Sequence, residues 1–161
     1  MVGWSNCRLG DLLEIKHGFA FKGEFFADSG EFILLTPGNF KEEGGLKLKG
    51  DKEKFYSREI PTEYLLKRGD LIIAMTDLIQ NAPILGSSAF IPQDGRFLHN
   101  QRLGKVINLK VDRVLPEFLY YLFNTSNVRA HIKGSATGST VRHTAPSRTT
   151  STPTTRWIPT T

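Results

Sequence analysis

Apolar positions in this chain come in short blocks, and the spacing within each block predicts its element. In "RLGDLLEI", Leu9, Leu12, Leu13 and Ile15 recur at roughly helical intervals around Asp11, which predicts an opening helix. "KHGFAFKGEFF" breaks that period: glycines punctuate a loop that sets Phe19, Phe21, Phe25 and Phe26 close to Lys16 and Lys22. "EFILLTPGN" has the continuous apolar run of a buried strand, stopped by Pro37 and Gly38. Residues 41–58 are charged and contain glycine, as a surface excursion or a hairpin would. "EYLLKRGDLIIAMT" reads as a turn at Arg68-Gly69-Asp70 feeding an apolar strand from Leu71 to Met75. "APILGSSAFI" and "LGKVINLKV" are two further strands.

The period then changes. Phe118, Leu119, Leu122, Phe123, Val128 and Ile132 fall on one helical face of "LPEFLYYLFNTSNVRAHIKG". Pro116 suits the first turn, Gly134 the position past the end, and Arg129, His131 and Lys133 the carbonyl end of the dipole. The prediction is a helix from about Pro116 to Lys133. Several short strands followed by a late helix predict a single α+β domain with a mixed, strongly bent sheet. No internal repeat is visible.

Composition adds little to that picture but excludes several classes. With 161 residues, 39% of them hydrophobic and 23% charged, the chain can bury one ordinary core. No run of apolar residues is long enough to span a bilayer and the N-terminus does not read as a signal peptide, so a cytoplasmic protein with no membrane partner is expected. Cys7 is the single cysteine, which rules out an internal disulfide framework. The net charge of +5 is a weak pointer to nucleic acid because of where it sits. Residues 1–117 balance 16 Lys and Arg against 16 Asp and Glu; Arg129, Lys133, Arg142, Arg148 and Arg156 supply the whole excess.

Catalytic chemistry finds no support in the motifs. Glu14–Lys16 has the Glu-x-Lys look of a metal-dependent nuclease, but the nearby upstream acid is Asp11, and a solvated helix end is the plainer reading. Asp70 is better explained as a turn residue. His17, His99, His131 and His143 show no metal spacing and no nucleophile partner, and no Gly-rich phosphate loop follows a strand. Neither a metal nor a cofactor is expected.

Binding chemistry does better. Three polar segments, "GFAFKG", "MTDLIQN" and "GRFLHNQR", stand between apolar elements. Asn100 and Gln101 carry amides that can pair bidentately with adenine, and Arg96 and Arg102 can do the same with guanine. Lys16 and Lys22 beside phenylalanines can hold phosphates. The same amides and arginines can instead satisfy backbone groups, and Phe19 and Phe21 can be core.

The order of the segments narrows the choice. "LGDLLEIKHGFAFKGEFF", "LLTPGNF", "LLKRGDLIIAMTD", "LHNQRLGKVI", "FLYYLFNTSNVRAHI" and "ATGSTVRHTAPSR" together resemble a target-recognition domain of a type I restriction–modification specificity subunit, over about residues 8–148. The resemblance implies sequence-specific recognition of double-stranded DNA by a non-catalytic module, with methylation and cleavage in separate methyltransferase and restriction subunits. Joined to the chemistry above, that reading expects base contacts from Asn100, Gln101, Arg102 and Arg96. Phosphate contacts are expected from Lys16, Lys22 and the Gly138-Ser139-Thr140 loop, with Ser139 and Thr140 as donors, although these three also make a plain turn. Complete members continue into a spacer helix that docks the methyltransferase subunits. Here "TTSTPTTRWIPTT" stands instead, so residues 1–148 are expected to form the domain and 149–161 an aberrant, loosely ordered Ser/Thr/Pro-rich tail of a truncated chain. Two rivals remain: an enzyme, either a recognition fragment of a single-chain restriction–methylation protein or a small nuclease, and a frameshifted remnant that no longer binds DNA.

Overall fold

The computed structural model describes residues 7–136 in full, with the backbone of 3–4, 142–143 and 159–160. In chain order its strands are β1 (Gly3–Trp4), β2 (Glu14–His17), β3 (Phe26–Ala27), β4 (Ile33–Leu34), β5 (Phe55–Tyr56), β6 (Leu71–Ala74), β7 (Thr76–Asp77), β8 (Ser88–Phe90), β9 (Phe97–Leu98), β10 (Leu103–Ile107), β11 (Arg142–His143) and β12 (Pro159–Thr160). The helices are α1 (Pro116–Phe123) and α2 (Ser126–Ser135). Antiparallel β2-β10-β6-β8 forms the central sheet, and β3-β5-β4-β9 a second one in which β4 and β9 run parallel. The architecture is α+β with mixed sheets, as the block pattern predicts.

β6 explains the continuous apolar run "LIIA". Leu71 and Ile73 face a core closed by Leu119 and Phe123 of α1 and Val128 and Ile132 of α2. Ile72 and Ala74 face the opposite core, with Leu35, Phe40, Phe97 and Leu103. A strand covered on both faces has no polar side to show. Asp70 closes the turn before it: the Lys67 N–H donates to its Oδ2 at 2.9 Å, and Gly69 takes φ +86° between them.

Two elements differ from the periodicity. Leu9–Asp11 is a single 3₁₀ turn, after which Glu14–His17 pairs with β10 as a strand. Leu12 and Leu13 are buried in the helix-side core and Ile15 pairs with Val106, so sheet pairing outweighs the local helical spacing. The late helix is two helices. Asn124 ends α1, and Thr125 caps α2 by accepting the Val128 N–H at 3.4 Å. Asn124 also fastens the break to the sheet edge: its Oδ1 accepts the Ser88 N–H at 3.0 Å, and its Nδ2 donates to Tyr120 O at 2.8 Å. Gly134 lies inside α2 rather than beyond it. The expected boundary at 148/149 and the 149–161 tail lie outside the fully described residues, as do Ser139 and Thr140. Among the described residues no helix is long and apolar enough to cross a membrane, and no cluster of His, Cys, Asp and Glu could hold a metal ion.

Candidate nucleic-acid interface

The three polar segments meet at one end of the central sheet. β2 and β6 both run toward the end at which β10 begins: Gly104 pairs with His17, and Leu103 with Ala74. The loops that leave β2 and β6 and the turn that enters β10 are therefore neighbours.

Gly18 makes the closest contact among them. There the chain crosses His99–Asn100 so tightly that a Cβ on Gly18 would lie 2.1 Å from Asn100 O and 2.4 Å from His99 O. The crossing is held by Phe19 N–H donating to His99 O at 2.9 Å and Gln101 N–H donating to Phe19 O at 3.0 Å. Met75 N–H donates to Arg102 O at 3.0 Å, which joins "MTDLIQN" to the same turn. The glycine of "GFAFK" and the "NQR" triplet are two sides of one backbone junction.

Beneath it lies His99, fully buried, with Nε2 2.9 Å from Leu103 O. Burial pushes its imidazole down to about 4, against a smaller upward pull from the Leu103 carbonyl. The ring is neutral near pH 7 and donates from Nε2, a structural role that matches its lack of a nucleophile partner.

The loop after β6 is braced from two sides. Asp77 accepts the Ile79 N–H at 3.0 Å and the Ile84 N–H at 2.9 Å, and β7 pairs with β11. Arg129 reaches up from α2: Nε donates to Leu85 O at 2.7 Å, Nη1 to Glu42 O at 2.8 Å and Nη2 to Pro83 O. It is buried, so its charge serves the loop and not the molecular surface. Leu78, Ile79, Gln80 and Asn81 project from this brace, all exposed.

The predicted contact residues divide by what they already hold. Lys22, Gln101 and Arg102 are exposed, with no side-chain partner among the described residues. Lys16 is engaged, 3.0 Å from Glu63 and over the Tyr64 ring at 4.7 Å. Arg96 donates to Glu31 O at 2.7 Å. Asn100 is buried and accepts the Arg102 N–H at 3.0 Å on Oδ1, shaping the turn that presents its neighbours. Gln80, Asn81 and Arg58 are exposed too but are not among the contact residues expected from the sequence. The first two lie in "MTDLIQN", a segment already singled out; the signal for Arg58 is the interleaving of cations and aromatics in "KEKFYSR".

Residues 1–144 match the family described as type I restriction modification DNA specificity domain. Solved structures share the fold. The S subunit of a type I restriction–modification system from M. genitalium is 14% identical with a TM-score of 0.55, the match covering 89% of this chain and 31% of that one. The HsdS subunit from Thermoanaerobacter tengcongensis is 16% identical with a TM-score of 0.50, covering 76% and 27%. A chain from a structural study of complex assembly and conformational transition of the type I R-M system gives 16%, 0.51, 75% and 27%. The present chain thus spans less than a third of the length of each. No match was found among curated proteins.

Proposed function

The chain belongs to the type I restriction–modification DNA specificity domain family, and from that premise we propose that it reads duplex DNA with the loop-bearing end of its central sheet. The observation that carries this reading is the Gly18 crossing, which sets the 18–22 loop against the 99–102 turn while leaving Lys22, Gln101 and Arg102 outward and unpaired. A rigid backbone junction with free amide and guanidinium groups is suited to base readout, because bidentate contacts need donors and acceptors in fixed register. In this reading Gln101 and Arg102 address bases in the major groove. Gln80, Asn81 and the exposed Leu78 and Ile79 address neighbouring positions, where apolar groups can meet thymine methyls. Lys22 holds a phosphate. Lys16, Arg96 and Asn100 already hold contacts within the fold, so their first part is to position the loops, while the remaining N–H donors of Lys16 and Arg96 stay available to DNA. Ser139 and Thr140, which lie outside the described residues, would add phosphate contacts.

The chain acts without catalysis of its own, and methyl transfer and cleavage belong to separate methyltransferase and restriction subunits. Selection from a randomised duplex pool at fixed salt tests the reading: a recovered motif is expected, and enrichment of none overturns it. Incubating the protein with duplex and Mg²⁺, with and without S-adenosylmethionine, tests the second point; methylation or cleavage by the pure chain would contradict it.

A further inference from the structure

A second feature lies on the outer side of the Gly18 loop. Phe19, Lys22, Phe25, Tyr56, Arg58 and Glu59 are among the residues that line an open groove of about 440 Å³. Its aromatic lining is joined to the Gly18 junction through the buried Phe21 beneath it: Phe19 packs on Phe21 at 5.0 Å, Phe21 on Tyr56 at 4.9 Å, and Tyr56 on Phe25 at 6.1 Å. Its far wall is tied to this lining, because Ser57 donates to Phe25 O through both its N–H, at 3.0 Å, and its Oγ, at 2.9 Å. On that wall the Arg58 guanidinium lies over the Phe25 ring, 4.5 Å from its centre. Lys54 on the same segment lies over Phe26 at 5.4 Å. Neither Lys22 nor Arg58 has a carboxylate partner among the described residues.

We propose that this groove seats the sugar–phosphate backbone of DNA, with Lys22 and Arg58 as the two arms that neutralise its phosphates. This rests on the DNA-recognition reading and extends its footprint from the central sheet to the second one. Charge complementarity selects the occupant. Two cations without carboxylate partners line the groove, and one of them, Arg58, already rests over the Phe25 ring, 4.5 Å from its centre, which leaves less of its side chain to order on binding. A guanidinium presented in this way matches the bidentate geometry of a phosphate. The continuity of the aromatic lining with Phe19 places the seat beside Gln101 and Arg102, where a strand read at the junction would pass. Glu59 is the opposing charge in the groove and makes the assignment testable in both directions.

The test is the salt dependence of binding by the full chain, measured on the selected duplex and on an unrelated duplex. Each phosphate contact contributes roughly 0.9 to the slope of log affinity against log salt. Arg58→Gln and Lys22→Gln are each expected to shrink the affinity lost between about 50 and 200 mM salt by roughly 3.5-fold, on both duplexes, with the selected motif unchanged. Arg58→Lys should keep the wild-type slope, and Glu59→Gln should raise affinity at low salt. Urea unfolding midpoints confirm that the exposed substitutions leave the fold intact. An unchanged slope in both glutamine variants overturns the proposal, as does weaker binding by Glu59→Gln. A shifted motif in Arg58→Gln would also overturn it, since that marks a base contact. If no motif is selected from the pool but the slopes fall as expected, the groove stands and the specificity reading fails. If a motif is selected and the slopes do not change, the specificity reading stands and the groove fails.

Discussion

Replacing Gly18 with alanine adds one methyl group to the backbone crossing on which the proposed base-reading surface depends. The new Cβ would lie 2.1 Å from Asn100 O, so reaching ordinary contact at 3.4 Å requires the two segments to part by about 1.3 Å. Backbone atoms on the far side cannot rotate away as a side chain would. The parting breaks the hydrogen bonds from Phe19 to His99 and from Gln101 to Phe19, 2.9 and 3.0 Å long. Two net hydrogen bonds at about 1 kcal/mol each, with about 1–3 kcal/mol of overpacking strain, give a destabilisation of roughly 3–5 kcal/mol. Urea unfolding followed by circular dichroism measures it. Affinity for the selected duplex should fall at least about tenfold, the loss of one bidentate contact, because base contacts tolerate only about half an ångström of misplacement. Gly23→Ala is the control: its Cβ would meet a single Phe26 ring atom at 3.9 Å, so stability and binding should hold. A Gly18→Ala protein with unaltered midpoint and affinity would show that the junction does not set the reading geometry.

Three other outcomes follow from the same structure. His99 has an ordinary value of 6.5 and about 4 in the fold, so the folded chain binds fewer protons than the unfolded one between these limits. Its contribution is complete above pH 6.5 and is lost as pH falls toward about 4, roughly 3 kcal/mol in all; a His99→Gln protein should lack that part of the stability–pH curve. Arg129→Gln removes the donors to the carbonyls of Glu42, Pro83 and Leu85, and should cost about 3 kcal/mol or more. Hydrogen exchange should show faster amides at Ile79 and Ile84, the two held by Asp77; unchanged protection would refute the bracing role. Gln101→Ala and Arg102→Ala should leave unfolding midpoints unchanged while each relaxes the preferred base at one position by about 1–3 kcal/mol, read by competition binding.

The amino-acid sequence by itself determined the elements whose signal is local. "RGDLIIA" specifies a turn and a two-sided strand through Gly69, Asp70 and four consecutive apolar residues. "TPGN" ends β4, and the late helical face is legible from its period. The ordered set of segments was enough to carry the family resemblance. Tertiary contacts decided the rest. Leu12, Leu13 and Ile15 keep a helical spacing but sit at the end of a sheet whose pairing with β10 satisfies more of the backbone than one helical turn can. Arg129 looks from the sequence like a surface cation at a helix end. It is instead a buried brace on the carbonyls of Glu42, Pro83 and Leu85, which only folding brings to it. The candidate site shows the same division. Its residue types are local information, but which of them remain free depends on partners distant in sequence: Glu63 occupies Lys16, and Glu31 occupies Arg96, while Gln101 and Arg102 are left outward. Hydrogen bonds and close packing act over a few ångströms in space, and separation along the chain does not report that distance until the strands are paired.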